Sequence, residues 1–115
     1  MKYLILLISI LMISTTCVQT EKIEHEISID NNTIIIDVRT KAEFLSGHLE
    51  KAMNFPYTEI EGQIKSITKD TSKYIVVYCR SGRRSGIAQK ALIKMGYRNV
   101  VNGGGYKDLM KHQTK

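Results

Sequence analysis

The chain has 115 residues, which predicts a single domain, and its 17 Lys and Arg against 11 Asp and Glu give a formal net charge of +6. The basic residues are spread along the chain and form no basic run interleaved with aromatic side chains. The composition therefore disfavours a nucleic-acid-binding protein and favours one that attracts small anions.

The beginning of the chain has the composition of a secretory signal peptide. A positive charge at Lys2 precedes an apolar run over residues 4–13, and small polar residues follow at 14–16. The apolar run is about ten residues long, whereas a helix that spans a bilayer needs about 20. We therefore predict a signal over residues 1–17 and an exported, periplasmic protein, and a core helix is the alternative.

A cysteine at the end of this segment leaves a second processing route open. Cys17 follows small residues, as in lipoproteins whose cysteine is acylated after cleavage, although residues 14–16 fit the usual lipobox poorly. Membrane attachment is expected only by that route. Removal of the signal leaves roughly 95 residues, enough for a small core. With Cys17 lost or lipidated, Cys79 is the remaining free thiol, so the mature chain is not a disulfide scaffold.

The first strand of the domain is predicted over residues 33–38, where TIIIDV is a run typical of a buried strand. Residues 22–29 before it alternate imperfectly and form either an edge strand or a lead-in. A short helix is predicted over Lys41–Leu45. Thr40 and Glu43 have the spacing of a capping box at its start.

The rest of the chain continues to alternate between strand and helix signals. We expect, in order, a strand at 52–55, a helix at 57–67, a strand at 73–78, a helix from Arg84 or Ser85 to 95, a strand at 100–101, a sharp turn at 102–105 and a helix from 106 to 110. This order predicts an α/β fold with a central, mainly parallel sheet of about five short strands flanked by helices.

The residues that could take part in a reaction follow the strand at 73–78. Cys79 stands at its carboxyl end, the edge of an α/β sheet where ligands bind. The polar loop that separates it from the next helix consists of Arg80, Ser81, Gly82, Arg83 and Arg84. Backbone N–H groups of such a loop, the helix N-terminus and three arginines all favour a thiolate. We predict that Cys79 is a reactive nucleophile with a lowered pKa, and a buried structural cysteine is the alternative.

The sequence CRSGRRS after an apolar strand resembles the active-site loop of the single-domain rhodaneses, a family of sulfurtransferases. Residues 37–56, DVRTKAEFLSGHLEKAMNFP, and the run VNGGGY near the end resemble two further rhodanese motifs in the same order. The matching positions of the first of these two are Asp37, Arg39, Glu43, Phe44, Gly47, His48, Ala52, Asn54 and Pro56. Lys51 departs, because glycine is usual there. The resemblance implies a single rhodanese-like domain at about residues 24–112.

The resemblance also implies an activity, that of a thiosulfate sulfurtransferase. The Cys79 thiolate is expected to attack the outer sulfur of thiosulfate, a polysulfide or a similar anionic donor and to carry that sulfur as a persulfide. Amides of residues 80–84 are expected to hold the persulfide, and arginines of the loop to attract the donor. A thiol or cyanide acceptor then removes the sulfur, and neither a cofactor nor a metal is needed.

Four residues of the first-strand motif are expected to support the site without taking part in the reaction. Asp37, Arg39 and Glu43 are predicted to form an ion network that fixes the loop after the strand. His48 follows a glycine in a turn, so we expect a hydrogen-bonded structural histidine and not the partner of a cysteine-protease dyad. The scattered histidines show no metal-ligand spacing.

Three alternatives remain on the same scaffold. A phosphatase or arsenate reductase is disfavoured, because its signature has a cysteine, five residues and then arginine, where this chain has Ser85, and histidine before the cysteine, where it has Tyr78. The second is a non-catalytic module that binds a sulfur-carrying or redox partner. The third is a persulfide or polysulfide carrier, which shares the chemistry and differs in its donor.

Overall fold

The computed structural model describes residues 26–113, which form an α/β unit around one sheet. Its elements are β1 (Ile34–Asp37), α1 (Lys41–Leu45), β2 (Met53–Asn54), α2 (Ile60–Ile67), β3 (Ile75–Cys79), α3 (Arg83–Lys94), β4 (Val100–Gly105) and α4 (Tyr106–Gln113). The predicted signal, the lipidation site Cys17 and residues 22–25 of the lead-in lie outside the described residues. No helix within 26–113 is long and apolar enough to cross a membrane.

The sheet confirms the predicted α/β class. Its strands run in the order β2-β1-β3-β4, and every neighbouring pair is parallel. The expected count of about five strands is wrong by one over residues 26–113, because residues 26–29 form no strand there. Ile27 and Ile29 instead pack, partly buried, against the core. Their alternating pattern reflects burial on one side of the segment and not strand pairing.

The two faces of the sheet have separate cores, since successive side chains of a strand point to opposite sides. On one face Ile36 and Val77 pack against Ile60, Ile64 and the other residues of α2 and α3 that cover them. The other face is smaller, and its buried residues are Ile35, Leu49, Val76, Tyr78 and Leu109. Both central strands, β1 and β3, are thereby buried on both sides, which accounts for their continuous apolar sequences.

Local signals placed the helices well. α1 has the predicted bounds and the predicted capping box between Thr40 and Glu43. α2 begins at Ile60, three residues after the predicted start at 57, because the chain first makes a turn in which Glu59 N donates to Pro56 O. α3 begins at Arg83, one or two residues before the predicted start at Arg84 or Ser85, and α4 extends to Gln113.

The segment 102–105 differs from its prediction as a sharp turn. β4 continues through it to Gly105, and α4 begins at the next residue. The glycines serve close packing, since a Cβ on Gly103 would lie 2.8 Å from Leu109 Cδ1 and one on Gly105 would lie 2.6 Å from Arg80 O. The register between β3 and β4 also shifts here, between Val77 and Cys79. The glycine end of β4 is therefore pressed against the loop that follows Cys79.

Candidate active site

Cys79 is the last residue of β3 and lies at the carboxyl end of the parallel sheet, between β1 and β4. Residues 80–82 then turn the chain into α3. Gly82 occupies the N-cap with φ of +95°, a left-handed conformation that glycine adopts without the steric strain of a side chain. This sharp turn brings the backbone back over the sulfur of Cys79.

The Gly82 N–H and the Ser85 hydroxyl both point at the sulfur of Cys79, which is a free thiol. Gly82 N lies 3.0 Å from Sγ, and Ser85 Oγ lies 3.4 Å from it. Gly82 comes from the turn and Ser85 from the first turn of α3, so the short connection places two donors on one atom. The loop is thus wrapped around the sulfur.

These contacts set the protonation of the thiol. Burial raises the pKa of Cys79, but the Ser85 hydroxyl and the backbone N–H groups of Ser85, Ser81 and Gly82 favour the thiolate more strongly, so that the pKa falls from 9.0 to about 7. A cysteine with this pKa is about half ionised at neutral pH, and the thiolate is its nucleophilic form. The lowering of the Cys79 pKa is therefore due to local hydrogen bonds.

The access to this thiolate is narrow. Cys79 exposes 1% of its surface and packs beside the core of α2 and α3. A large electrophile cannot reach Sγ without displacing the residues that cover it. The burial of Cys79 therefore favours small reactants over large ones.

The three arginines of the predicted loop lie in two different environments. Arg80 and Arg83 are exposed, whereas Arg84 is partly buried and bonded to α1. Arg84 Nη1 lies 2.7 Å from Glu43 Oε1, and Arg84 Nη2 lies 3.0 Å from Glu43 Oε2. This bidentate pair ties the start of α3 to the first turn of α1. Arg84 lowers the pKa of Glu43 to about 2, so the pair is fully charged at neutral pH.

The predicted network of Asp37, Arg39 and Glu43 is divided into two pairs. Arg39 Nη2 lies 2.6 Å from Asp37 Oδ2, and both residues are buried. Arg39 also donates to Gly47 O at 2.7 Å and lies over the ring of Tyr106, 4.6 Å from its centroid. The Asp37–Arg39 pair thus joins the end of β1 to the end of α1 and to α4. Glu43 instead binds Arg84 of α3.

His48 and Tyr78 have contacts that explain them structurally. His48 Nδ1 donates to Phe44 O at 2.8 Å, and the two rings are stacked with centroids 3.7 Å apart. Tyr78 OH accepts a hydrogen bond from Leu49 N at 3.0 Å. Burial of the Tyr78 ring and the nearby Asp37 carboxylate raise the pKa of Tyr78. Both side chains secure the segment between α1 and β2.

Sequence reasoning missed two residues of the site. Ser85 was placed outside the predicted loop of residues 80–84, although its hydroxyl reaches Sγ. Asn102 was assigned to a turn, yet its side chain contacts Ser85, Gly82 and Gly104. The position of Ser85 in the first turn of a helix after the loop was a usable signal. Asn102 carried none, because its contacts join segments up to 20 residues apart.

A cavity of about 380 Å³ lies beside the loop and is lined by Arg39, Glu43, Ser46, Arg80, Tyr106 and Lys107. Arg80 and Lys107 are exposed and give it a positive rim. This charge suits an anionic molecule that approaches the carboxyl end of β3. Over residues 26–113, no three His, Cys, Asp or Glu side chains are grouped to hold a metal ion.

Comparisons with known proteins agree with this geometry. The model of the rhodanese-like domain family matches residues 21–112. The thiosulfate sulfurtransferase PspE of Escherichia coli (strain K12) is 38% identical over 80 residues, which cover 70% of this chain and 77% of that protein. The thiosulfate:glutathione sulfurtransferase of Saccharomyces cerevisiae is 33% identical over 95 residues, covering 72% and 68%. A solved structure of a rhodanese with anions from E. coli is 38% identical with a TM-score of 0.64, and covers 66% of this chain and 89% of that one.

Proposed function

Since this chain belongs to the rhodanese-like domain family, we propose that it is a sulfurtransferase that moves a sulfane sulfur from thiosulfate or a similar anionic donor to a thiophilic acceptor through a persulfide on Cys79. The observation that carries the proposal is the convergence of Gly82 N–H and the Ser85 hydroxyl on Sγ. This arrangement stabilises an anionic sulfur chiefly through uncharged donors.

The first half-reaction loads the cysteine. The Sγ thiolate attacks the outer sulfur of thiosulfate, a new S–S bond forms, and the old S–S bond breaks so that its electron pair leaves with sulfite. The negative charge moves from Sγ to the added sulfur, and no proton is transferred. Because Cys79 is 1% exposed, the protruding sulfur atom of the donor is the part that enters the loop.

The second half-reaction unloads it. An acceptor such as cyanide attacks the outer sulfur of the persulfide, and the S–S bond to Sγ breaks with its electron pair returning to Sγ. Thiocyanate leaves and the thiolate is restored, which gives ping-pong kinetics. A low pKa helps here too, because a thiolate of lower pKa is the better leaving group.

The exposed arginines supply the attraction for a dianionic donor. Arg80 and Arg83 are exposed beside the loop, and Arg80 lines the positively rimmed cavity. Arg84 is already engaged by Glu43, so we assign donor recruitment to Arg80 and Arg83. Steering of this kind depends on ionic strength, and the rate of loading at low donor concentration is expected to fall as salt is added.

Intact-mass analysis after incubation with thiosulfate tests the proposal. The protein should gain the mass of one sulfur atom, and a reducing agent or cyanide should remove it. Cys79→Ala should show no gain, whereas Cys17→Ser, which removes the other cysteine of the chain, should retain it. A protein that gains no sulfur contradicts the proposal. Gain of sulfur without turnover to cyanide or a thiol would instead favour a sulfur-carrier module.

We further propose that the protein is exported, either as a soluble periplasmic protein or through a lipid on Cys17. The support is the order of charge, apolar run and small polar residues over 1–17. Palmitate labelling of cells, with Cys17→Ser as the control, separates the two routes. Recovery of the full-length chain, still carrying residue 1, in the cytoplasm would contradict export.

A further inference from the structure

The hydroxyl of Ser85 faces two acceptors at once. Ser85 is fully buried, and its Oγ lies 2.6 Å from Asn102 Oδ1 and 3.4 Å from Cys79 Sγ. A serine hydroxyl has one hydrogen, and both the amide oxygen and a thiolate can only accept. The hydrogen therefore satisfies one of these two atoms at a time.

The orientation of Asn102 is fixed by the backbone around it. Its Nδ2 donates to Gly82 O at 3.0 Å, and its Oδ1 accepts from Gly104 N at 2.9 Å. Exchange of the two atoms of the amide would break both bonds, so the oxygen must face Ser85. The site thus holds a permanent alternative acceptor for the Ser85 hydrogen, in contact with the same loop that encloses Sγ.

The reaction changes which acceptor is the stronger one. When the free enzyme is ionised, Sγ is a thiolate, and hydrogen bonds to a charged acceptor are stronger than those to a neutral one. In the persulfide the charge lies on the outer sulfur, and Sγ is a weak neutral acceptor. The amide oxygen at 2.6 Å is then the better partner.

We propose that the Ser85 hydroxyl is a two-position switch, which donates to Cys79 Sγ while that sulfur is an anion and to Asn102 Oδ1 while it is bonded to a second sulfur. Asn102 is the positioning residue that keeps the hydroxyl in place between the two states. The hydrogen never leaves Ser85 Oγ and only rotates about its C–O bond. This inference rests on the proposed persulfide chemistry, but the protonation of the free thiol tests it separately.

The charged groups around the switch are paired or exposed. Near the sulfur and its loop they are Arg80, Arg83, the Arg84–Glu43 pair of α3 and α1, the Asp37–Arg39 pair at the end of β1, and Lys107 and Asp108 of α4. The neighbouring part of β4 presents Asn102 and glycines, and α2 presents Ile60 and Ile64. The negative charge at Sγ is therefore stabilised mainly by the neutral hydrogen-bond donors of the loop.

Ser85→Ala affects the two half-reactions in opposite directions. Loss of the donor should move the midpoint of thiol alkylation against pH upward by about one unit. At a pH well above both midpoints, loading by thiosulfate should be unchanged or up to about threefold faster, because a more basic thiolate is the stronger nucleophile. Unloading by cyanide should slow by about threefold or more, because Sγ is then the poorer leaving group.

The experiment measures iodoacetamide rates against pH and the separate kcat/KM values for thiosulfate and cyanide, with thermal unfolding recorded for each variant. Ser85→Thr, which retains a hydroxyl, should restore the midpoint and both rates, and Ser66→Ala on α2 is a matched control that should change neither. Equal losses in both half-reactions with an unmoved midpoint would overturn the switch. A moved midpoint in a protein that accepts no sulfur would support the hydrogen bond while contradicting the proposed function.

A double substitution tests the part of Asn102. If Asn102 acts through Ser85, the shift of the alkylation midpoint caused by Asn102→Ala should change when Ser85→Ala is already present, as in any double-mutant cycle of coupled residues. Additive shifts would overturn the role of Asn102. Because Asn102→Ala also removes the bond to Gly82 O, Asn102→Ser, which retains a short polar side chain, provides the second variant.

Discussion

The β1–α1 and β3–α3 connections lie side by side at the same edge of the sheet, and each follows a buried strand. β1 ends in Asp37 and β3 in Cys79, so each connection begins at a group that can carry a negative charge. In the first, a guanidinium in contact at 2.6 Å neutralises the carboxylate. In the second, the thiolate receives hydrogen bonds from an amide of the turn and a hydroxyl.

The two helix starts differ in the same way. The side chain of Thr40 caps α1 by accepting from Glu43 N, whereas α3 has no side-chain cap within the described residues and begins after Gly82. An uncapped helix N-terminus retains N–H groups that can serve an anion. The connection with a complete set of internal partners is structural, and the one whose donors point at a sulfur remains available for chemistry.

The largest expected effect comes from breaking the buried ion pair of the β1–α1 connection. Asp37→Asn removes the charge opposite Arg39, which is 5% exposed, and leaves that guanidinium buried without its counterion. Loss of one partner of a buried pair lowers the free energy of unfolding by about 3–5 kcal/mol. Urea or thermal denaturation measures it. Asp108→Asn on α4 is the matched control, since that side chain is 81% exposed and should change stability by less than about 0.5 kcal/mol. Equal effects of the two substitutions would show that the buried pair is not critical.

The next largest effect is expected at the β3–α3 connection. A Cβ at Gly105 would lie 2.6 Å from Arg80 O, so Gly105→Ala must displace the backbone directly after Cys79. We expect a loss of about 1–3 kcal/mol in the free energy of unfolding from overpacking. The alkylation midpoint should also rise, because the amides over Sγ move. Gly62→Ala is the control, since nothing lies within 4 Å of its Cβ position and alanine favours a helix. A Gly105→Ala protein with unchanged stability and midpoint would contradict the close approach.

The two connections also differ in how far the sequence revealed them. The capping box and α1 were predictable, because Thr40 and Glu43 are local in sequence and their spacing has one physical meaning. The buried strand before Cys79 and the glycine turn after it were equally local. The pairing of Glu43 with Arg84 joins positions 41 residues apart, and no pattern in either segment encodes it.

The glycine run of β4 shows why some local signals mislead. Asn102 and the three glycines after it have the composition of a turn, and a turn was predicted. Their actual role is to let a strand lie against Leu109 on one side and Arg80 on the other, which depends on elements distant in sequence. A glycine indicates that its position requires either close packing or an unusual backbone conformation, and only the fold shows which of the two applies.

A smaller effect is expected where the two connections meet. Glu43→Gln removes one charge of the pair with Arg84, in which the side chains are 30% and 18% exposed, and should lower the free energy of unfolding by about 1 kcal/mol at neutral pH. Because Arg84 lowers the pKa of Glu43 from 4.5 to about 2, this contribution is complete above pH 4.5 and is lost as the pH falls towards 2. Denaturation curves of the two proteins should therefore converge between these pH values. A difference that persists at pH 2 would indicate that shape, and not charge, joins α1 to α3.

The smallest effect is expected at His48, which lies shortly after α1, in the part of the site whose contacts are structural. Its ring stacks on Phe44 and donates to Phe44 O, both within one turn of the chain, so His48→Gln removes contacts that are exposed and local. We expect a change in stability below about 1 kcal/mol and a rate of thiocyanate formation within about twofold of the unchanged protein. Steady-state kinetics with thiosulfate and cyanide measure it. If turnover were abolished while the fold and the alkylation of Cys79 were retained, His48 would belong to the reaction, and the division between a structural and a chemical connection would not hold.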